Sequence, residues 1–255
     1  MAEHELRSRY EHEGANTERY ASPSFWDARY HQRRFAAICE MLEGPLSAAT
    51  SFLDVGAGTG EYLQFARARG VAQVSGIDLS FNYCRREKAI AEGVQVMQAS
   101  GDALPLQTGS IDVVLCSEVI EHLPPALAVK SVLELGRVAR RTIVTTTPNR
   151  SAAVRRLARS VVPNRVDELD RQVGHINLMD PGEFIRLLEV SGWTVARLDT
   201  RHILPPVIGE GIRLPTALSG LVDATETTAT RWSKRSGNVM LALLEPEVTP
   251  GSISS

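Results

Sequence analysis

SFLDVGAGTGEYLQFARARG, residues 51–70, decides how the rest of the chain is read. It opens as a short apolar strand, passes through a glycine turn, and continues as a helix stopped by Gly70. Gly56, Gly58 and Gly60 stand between strand and helix, where glycine lets the backbone take positive φ and approach a ligand closely. A nucleotide-like cofactor is the natural guest. The spacing differs from the dinucleotide fingerprint, because the third glycine comes one position early, and no Lys-Ser or Lys-Thr follows to make a P-loop. Asp54, just before the turn, repels a pyrophosphate. It can accept hydrogen bonds from an amine-bearing ligand or orient the loop amides.

Reading outward, the same alternation repeats. VAQVSGIDLS (71–80) is a second strand ending at an acid, FNYCRREKAIAEG a helix ending at Gly93, and VQVMQASGDALPL (94–106) a third strand with its loop. SIDVVLCSEVIEHL holds the fourth strand, AVKSVLELGRVA a helix, and TIVTTTPN (142–149) the fifth strand. Short β-rich strands alternating with helices imply βαβ crossovers and a mainly parallel sheet with helices on both faces. The strand ends near Asp54, Asp78, Asp102 and Glu118 then open on one sheet edge, where α/β sheets bind ligands. Before this core, WDARYHQRRFAAICEMLEG (26–44) has apolar residues at helical spacing. Trp26, Tyr30, Arg34 and Ile38 form one stripe of it, which reads as packing or as a wall over the site.

After the fifth strand the pattern breaks. Residues 150–172 are basic first and acidic later, with Arg150, Arg155, Arg156, Arg159 and Arg165. This stretch reads as a solvated amphipathic helix or a lid that attracts an anionic substrate. DPGEFIRLLEVSGW (180–193) is a helix with Pro181 in its first turn, and TVARLDT a sixth strand. Residues 203–232 show little regular period and predict a loop region with one short helix; SGNVMLALLEP (236–246) is a last strand. The expected organisation is a helical cap at 1–45 and a core at 46–200 with a lid-like insertion at 150–178. An inserted loop region at 201–235, a final strand at 236–246 and a disordered tail at 247–255 complete it.

Asp78 ends the second strand, where a carboxylate can accept both hydroxyls of a ribose. Asp102 follows the third strand and can meet the exocyclic amine of an adenine, with Ala103 supplying a backbone N–H. Together LDVGAGTGEY, GIDLS, GDALPL, IDVVLCSEVIEHL and TIVTTTPN resemble the class I S-adenosylmethionine-dependent methyltransferases. Within them the resemblance is to the small-molecule O-methyltransferases of the methyltransferase type 11 group, which includes the ubiquinone-pathway enzymes. It implies a Rossmann-like α/β fold: a seven-stranded, mostly parallel sheet with helices on both faces and an antiparallel last strand. It also implies S-adenosylmethionine as cofactor. Asp54, Gly56 and Gly58 would line its methionine part, Asp78 with Leu79 its ribose, Asp102 with Ala103 its adenine, and Ser117 with Glu118 its sulfonium end.

Glu118, Glu121 and His122 have i, i+3, i+4 spacing and share a face if the stretch is helical. With the distant His175 they have the donor types of a divalent-metal site; the alternative is that Glu121 and His122 only brace the loop. No metal is assigned. His175 and His122 are the candidate catalytic residues, as base or hydrogen-bond donor toward the methyl acceptor. The function expected is methyl transfer to a hydroxyl of a small molecule, anionic or aromatic. Two other readings stay open: a metal-dependent RNA 2'-O-methyltransferase and a non-catalytic nucleotide-binding scaffold. The first is weakened because GHINL has no second histidine beside His175.

Composition sets the outer bounds. The 255 residues, 43% hydrophobic, suffice for one filled α/β core, and the net charge of -2 gives no general attraction to nucleic acid. Three scattered cysteines make no disulfide framework, no apolar run reaches the roughly 18 residues a bilayer needs, and the charged N-terminus lacks a signal-peptide core. The expectation is a cytoplasmic monomer or homodimer without membrane insertion.

Overall fold

The structure is a computed structural model, and it describes residues 24–90, 93–161, 168, 170–204, 214–233 and 235–247. All but Glu247 of the expected disordered tail at 247–255, the first half of the cap at 1–23 and Arg165 lie outside the described residues.

Helix α1 (Phe25–Leu46) starts at Ser24, whose hydroxyl accepts from the Asp27 N–H at 3.3 Å. The alternating units follow as β1 (Ser51–Val55), α2 (Glu61–Ala68), β2 (Gln73–Asp78), α3 (Phe81–Ile90), β3 (Gln95–Gln98) and β4 (Ile111–Ser117). A 3-10 turn (Ile120–His122) leads into α4 (Pro125–Val138), β5 (Ala139–Pro148) and α5 (Ala153–Val161). Then come α6 (Pro181–Glu189), β6 (Trp193–Arg201), α7 (Ser219–Trp232) and β7 (Val239–Pro246). Helix α6 is set by a capping box: Asp180 accepts from the Glu183 N–H, and Glu183 accepts from the Asp180 N–H.

The seven strands form one sheet in the order β3-β2-β1-β4-β5-β7-β6. Strands β1 to β5 are parallel, and β7 runs antiparallel between β5 and β6. This is the expected Rossmann-like sheet, with its antiparallel last strand in the predicted place. Period-two alternation splits the core in two. Phe52, Val113, Leu115 and Val144 pack with α1 (Ile38, Leu42) and α2 (Leu63) on one face. Leu53, Val114, Cys116 and Ile143 pack with α4 (Leu135) and α6 (Phe184) on the other. Each such fully buried side chain contributes about 1.5–3 kcal/mol.

Helix α7 differs from the expected short helix in a loop: it runs 14 residues, and Glu226 is its one buried residue. No apolar stripe betrays it, because it docks through charge. Arg29 of α1 ion-pairs with Glu226 at 2.7 Å and with Asp223, and Arg33 reaches Asp223 at 3.0 Å and Glu226 at 2.8 Å. Trp26 Nε1 donates to the Leu214 carbonyl at 2.8 Å, tying the start of α1 to the same layer. Among the described residues no helix is long and apolar enough to cross a membrane.

Candidate active site

The C-terminal ends of β1, β2 and β4 open into one pocket. Val55, Gly56, Gly58, Ile77, Asp78 and Leu79 form one wall, and Glu118, Val119, His122, Leu123 and Leu127 the other; Tyr83, Ser100 and Gly101 complete it. The glycine loop is folded as its sequence requires. Gly56, Gly58 and Gly60 have φ of 80°, 57° and 79°. The Gly56 and Ala57 N–H groups donate to the Ile77 carbonyl at 2.7 and 3.1 Å, so the loop is stitched to β2. A side chain at Gly56 would also meet Val119 Cγ2 at 2.4 Å. Asp78 accepts from Gly58 N–H at 3.0 Å and from Ser80 N–H at 2.8 Å. Burial raises its carboxyl above the ordinary range against the lowering pull of these amides. Asp54 lies beneath the loop, 1% exposed, within β1.

The adenine-side expectation meets a different arrangement. Ser100 and Gly101 line the pocket; Asp102 and Ala103 stand one step behind. Ala103 N–H donates to the Ser100 carbonyl at 3.1 Å, and Asp102 accepts from the Ser100 hydroxyl, so both groups are engaged in their own turn.

Glu118 departs from the helical face predicted for it with Glu121 and His122. Its φ is +56°, the one positive value among described residues other than glycine. That left-handed step breaks the helical register and sends the side chain the other way. Glu118 accepts from Arg34 Nη1 at 3.0 Å and from Thr146 Oγ1 at 3.0 Å, and its N–H donates to the Thr146 carbonyl at 3.2 Å. Ser117 Oγ and Thr146 Oγ1 are 3.0 Å apart. Arg34 also stacks on Tyr30, 5.7 Å from the ring centre, and burial pushes the Tyr30 phenol up to about 12. Of the α1 stripe, Arg34 thus meets the site through Glu118, while Ile38 packs in the core.

Glu121, His122 and His175 do converge: each offers a ligand atom, and these lie within 4.8 Å of one another. Residues 174–177 are laced onto the 3-10 turn. The Glu121 carbonyl accepts from the N–H groups of Ile176 at 2.9 Å and Asn177 at 3.0 Å. His122 Nδ1 lies 3.2 Å from the Gly174 carbonyl, which can only accept, so Nδ1 carries the proton. The two imidazoles are 5.1 Å apart. Glu121 is fully buried; Oε2 accepts from Thr147 Oγ1 at 3.2 Å, while Oε1 has no partner among the described residues. Burial first, then the nearby Glu118 charge, hold this carboxyl well above the usual carboxylate range. A carboxylate oxygen and two imidazole nitrogens suit a divalent transition metal, and the orphaned Oε1 is the atom such an ion would satisfy.

The sequence set Arg34 in a stripe that read as packing or as a wall, and Thr146, Thr147 and Asp170 were not singled out. The threonines had a signal: TTT at the C-terminal end of a buried strand puts hydroxyls on both faces of the sheet beside the site. Asp170 had none, since its contact with His175 depends on a turn of the chain.

Residues 53–144 match the family model described as a methyltransferase domain. The ubiquinone biosynthesis O-methyltransferase of Xanthomonas axonopodis pv. citri (strain 306) is 36% identical over 115 residues, 41% of this chain and 48% of that protein. The chain thus matches about half the length of such curated relatives. Among solved structures, magnesium protoporphyrin IX methyltransferase from Synechocystis PCC 6803 has a TM-score of 0.66 at 16% identity, covering 96% of this chain and 100% of that one. A putative sarcosine dimethylglycine methyltransferase from Galdieria sulphuraria has a TM-score of 0.56 at 17% identity, covering 86% and 85%. These likenesses show the fold. The family match is to a methyltransferase domain over residues 53–144.

Proposed function

We propose that the protein transfers a methyl group from S-adenosylmethionine to a hydroxyl of a small molecule. The observation that carries this reading is the continuity of one pocket: the glycine loop and Asp78 on one wall, His122 on the other. The solved relative from Synechocystis was crystallised with bound SAH, and the Xanthomonas relatives are named as O-methyltransferases, which supports both cofactor and acceptor class.

In this reading Gly56 and Gly58 let the backbone follow the methionine part, above Asp54. Asp78, its carboxylate already fixed by two amides, receives the ribose hydroxyls beside Leu79. Ser100 and Gly101 meet the adenine, with Asp102 and Ala103 shaping their turn. Ser117 and Glu118 stand at the sulfonium end, and a carboxylate there attracts the cationic sulfur. The methyl carbon is already activated, so the protein's task is to align the acceptor oxygen behind it and keep water out. His175 or His122 takes the hydroxyl proton as the oxygen–carbon bond forms and the carbon–sulfur bond breaks.

The donor geometry favours a second reading of the same step. Glu121, His122 and His175 would hold a divalent cation, which would supply Lewis-acid polarisation of the acceptor oxygen. Glu118 does not fit as a fourth ligand, because Arg34 and Thr146 occupy its oxygens.

The test is calorimetric titration with S-adenosylhomocysteine, followed by transfer of labelled methyl from S-adenosylmethionine to a panel of catechols and hydroxylated carboxylic acids. Binding in the micromolar range and labelling of an oxygen support the reading; absence of cofactor binding ends it. His175→Gln should lower turnover by about 10²-fold or more with cofactor affinity kept. Loss of turnover in EDTA, restored by a divalent ion, would select the metal-assisted form.

A further inference from the structure

The segment that brings His175 to the site also carries a buried acid that the pocket does not touch. Asp170 is 9% exposed, and its backbone carbonyl accepts from the His175 N–H at 2.8 Å. Its Oδ2 ion-pairs with Arg155 of α5 and stands 3.9 Å from Arg159. Its Oδ1 faces His175 Nδ1 at 3.5 Å, the outer edge of hydrogen-bond range. That nitrogen is buried, and no other acceptor reaches it among the described residues. Burial raises the Asp170 carboxyl, but the His175 and Arg155 contacts outweigh it and leave it below the ordinary range.

We propose that Asp170 is a positioning residue for His175: it holds the imidazole proton on Nδ1 and so turns Nε2, as the basic nitrogen, toward Glu121 and His122. A histidine side chain in water favours the opposite tautomer, with the proton on Nε2. A buried carboxylate opposite Nδ1 reverses that preference, because a charge-assisted hydrogen bond is stronger than a neutral one. Arg155 keeps Asp170 in its accepting form and fixes it to α5. Two of the arginines in the 150–159 stretch therefore have an inward task, serving the site through a carboxylate. The arrangement suits either role of His175, since a proton acceptor and a metal ligand both need the lone pair on Nε2. Its consequence for catalysis rests on the proposed function; the tautomer does not.

The test is nuclear magnetic resonance of the whole chain with isotopically labelled histidine, reading the two imidazole nitrogens at one fixed, mildly alkaline pH. The His175 signals are assigned by their loss in His175→Gln. In the wild type, Nδ1 should carry the proton-bearing shift and Nε2 the lone-pair shift. Asp170→Leu should exchange the two, and Asp170→Asn, whose side-chain oxygen still accepts, should keep the wild-type pattern. A wild-type His175 protonated on Nε2 overturns the proposal, as does an unchanged pattern in Asp170→Leu. Titration of each variant with S-adenosylhomocysteine checks the fold, and should Asp170→Leu not fold, the wild-type spectrum decides alone. Full turnover in His175→Gln would end the base reading while leaving the tautomer result standing.

Discussion

Strand β4 carries a buried acid near each end, and the two are treated in opposite ways. At the N-terminal end Asp112 is 1% exposed and saturated. It accepts from Thr50 N–H and Thr50 Oγ1 at 2.8 Å, from Ser51 N–H at 3.3 Å, and from Arg140 at 2.6 and 2.9 Å. Burial opposes its charge, yet these donors win and lower it to about 2. Past the C-terminal end Glu121 is equally buried, receives one hydroxyl, and is raised well above its ordinary value. One end of the sheet completes its own polar groups and stabilises the fold. The other leaves one carboxylate oxygen without a partner among the described residues, beside His122 of the pocket wall, where a ligand can complete it.

The largest effect should come from the glycine loop at the open end. Gly56→Ala adds a methyl 2.4 Å from Val119 Cγ2 at a φ of +80°. Strain and overlap together amount to about 3 kcal/mol, so S-adenosylhomocysteine affinity by calorimetry should fall about 100-fold. Unchanged affinity would show that the loop is not where the cofactor sits. At the closed end, Asp112→Asn should cost about 2 kcal/mol of stability at pH 7 in a denaturant titration. Because the folded value lies below the unfolded value of about 3.9, this stabilisation is present above about pH 4. It is lost as the pH falls toward about 2, so wild type and variant should converge there. A constant difference between pH 7 and pH 2 would break the contrast.

Glu121→Gln should do the reverse of the Asp112 change and stabilise the cofactor-free protein by about 1 kcal/mol at pH 8. A raised folded value means the carboxyl is tolerated when protonated and penalised as the pH rises. The gain should therefore shrink toward zero near pH 4, measured as the shift in Tm across that range. Destabilisation at pH 8 would mean that Glu121 is a structural acid like Asp112. The smallest effect belongs to Gly58→Ala. Its φ is +57°, but the added methyl meets only the Gly56 carbonyl at 3.9 Å. Backbone strain of about 1 kcal/mol should weaken cofactor binding about fivefold, well short of Gly56→Ala.

The parallel half of the sheet was legible because local chemistry and fold agree there. Strand β1 is an apolar run followed by Gly56, β2 is closed by Asp78, β4 is followed by Glu118, and helices α2 and α4 end at Ala68 and Val138, within two residues of their predicted stops. The glycine-loop side of the pocket followed, since Gly56, Gly58 and Asp78 all line it. The cluster on the opposite side was legible only in its residue types. Glu121, His122 and His175 were singled out, but their company was not: Glu118 was expected beside them and instead meets Arg34, 84 positions earlier in the chain. A single left-handed residue makes that difference, and composition does not announce it when the residue is glutamate. Helix α7 was read too short for a related reason. Its contacts are Arg29 and Arg33 on a distant helix, so the periodicity that marks an apolar face is missing from its sequence.

The order β5-β7-β6 has a consequence for the way the molecule comes into being. Among the described strands β6 hydrogen-bonds to β7 alone, and β7 follows it in the chain. On the ribosome, β6 emerges without a neighbour, while β1 to β5 can already assemble with α1 to α4. The sheet is finished by inserting a wedge rather than by adding to its rim. Until residues 239–246 arrive, one flank of β5 stays open, and the three threonines beside the active site lie along that flank. Completion of the binding edge is thereby tied to the insertion of β7.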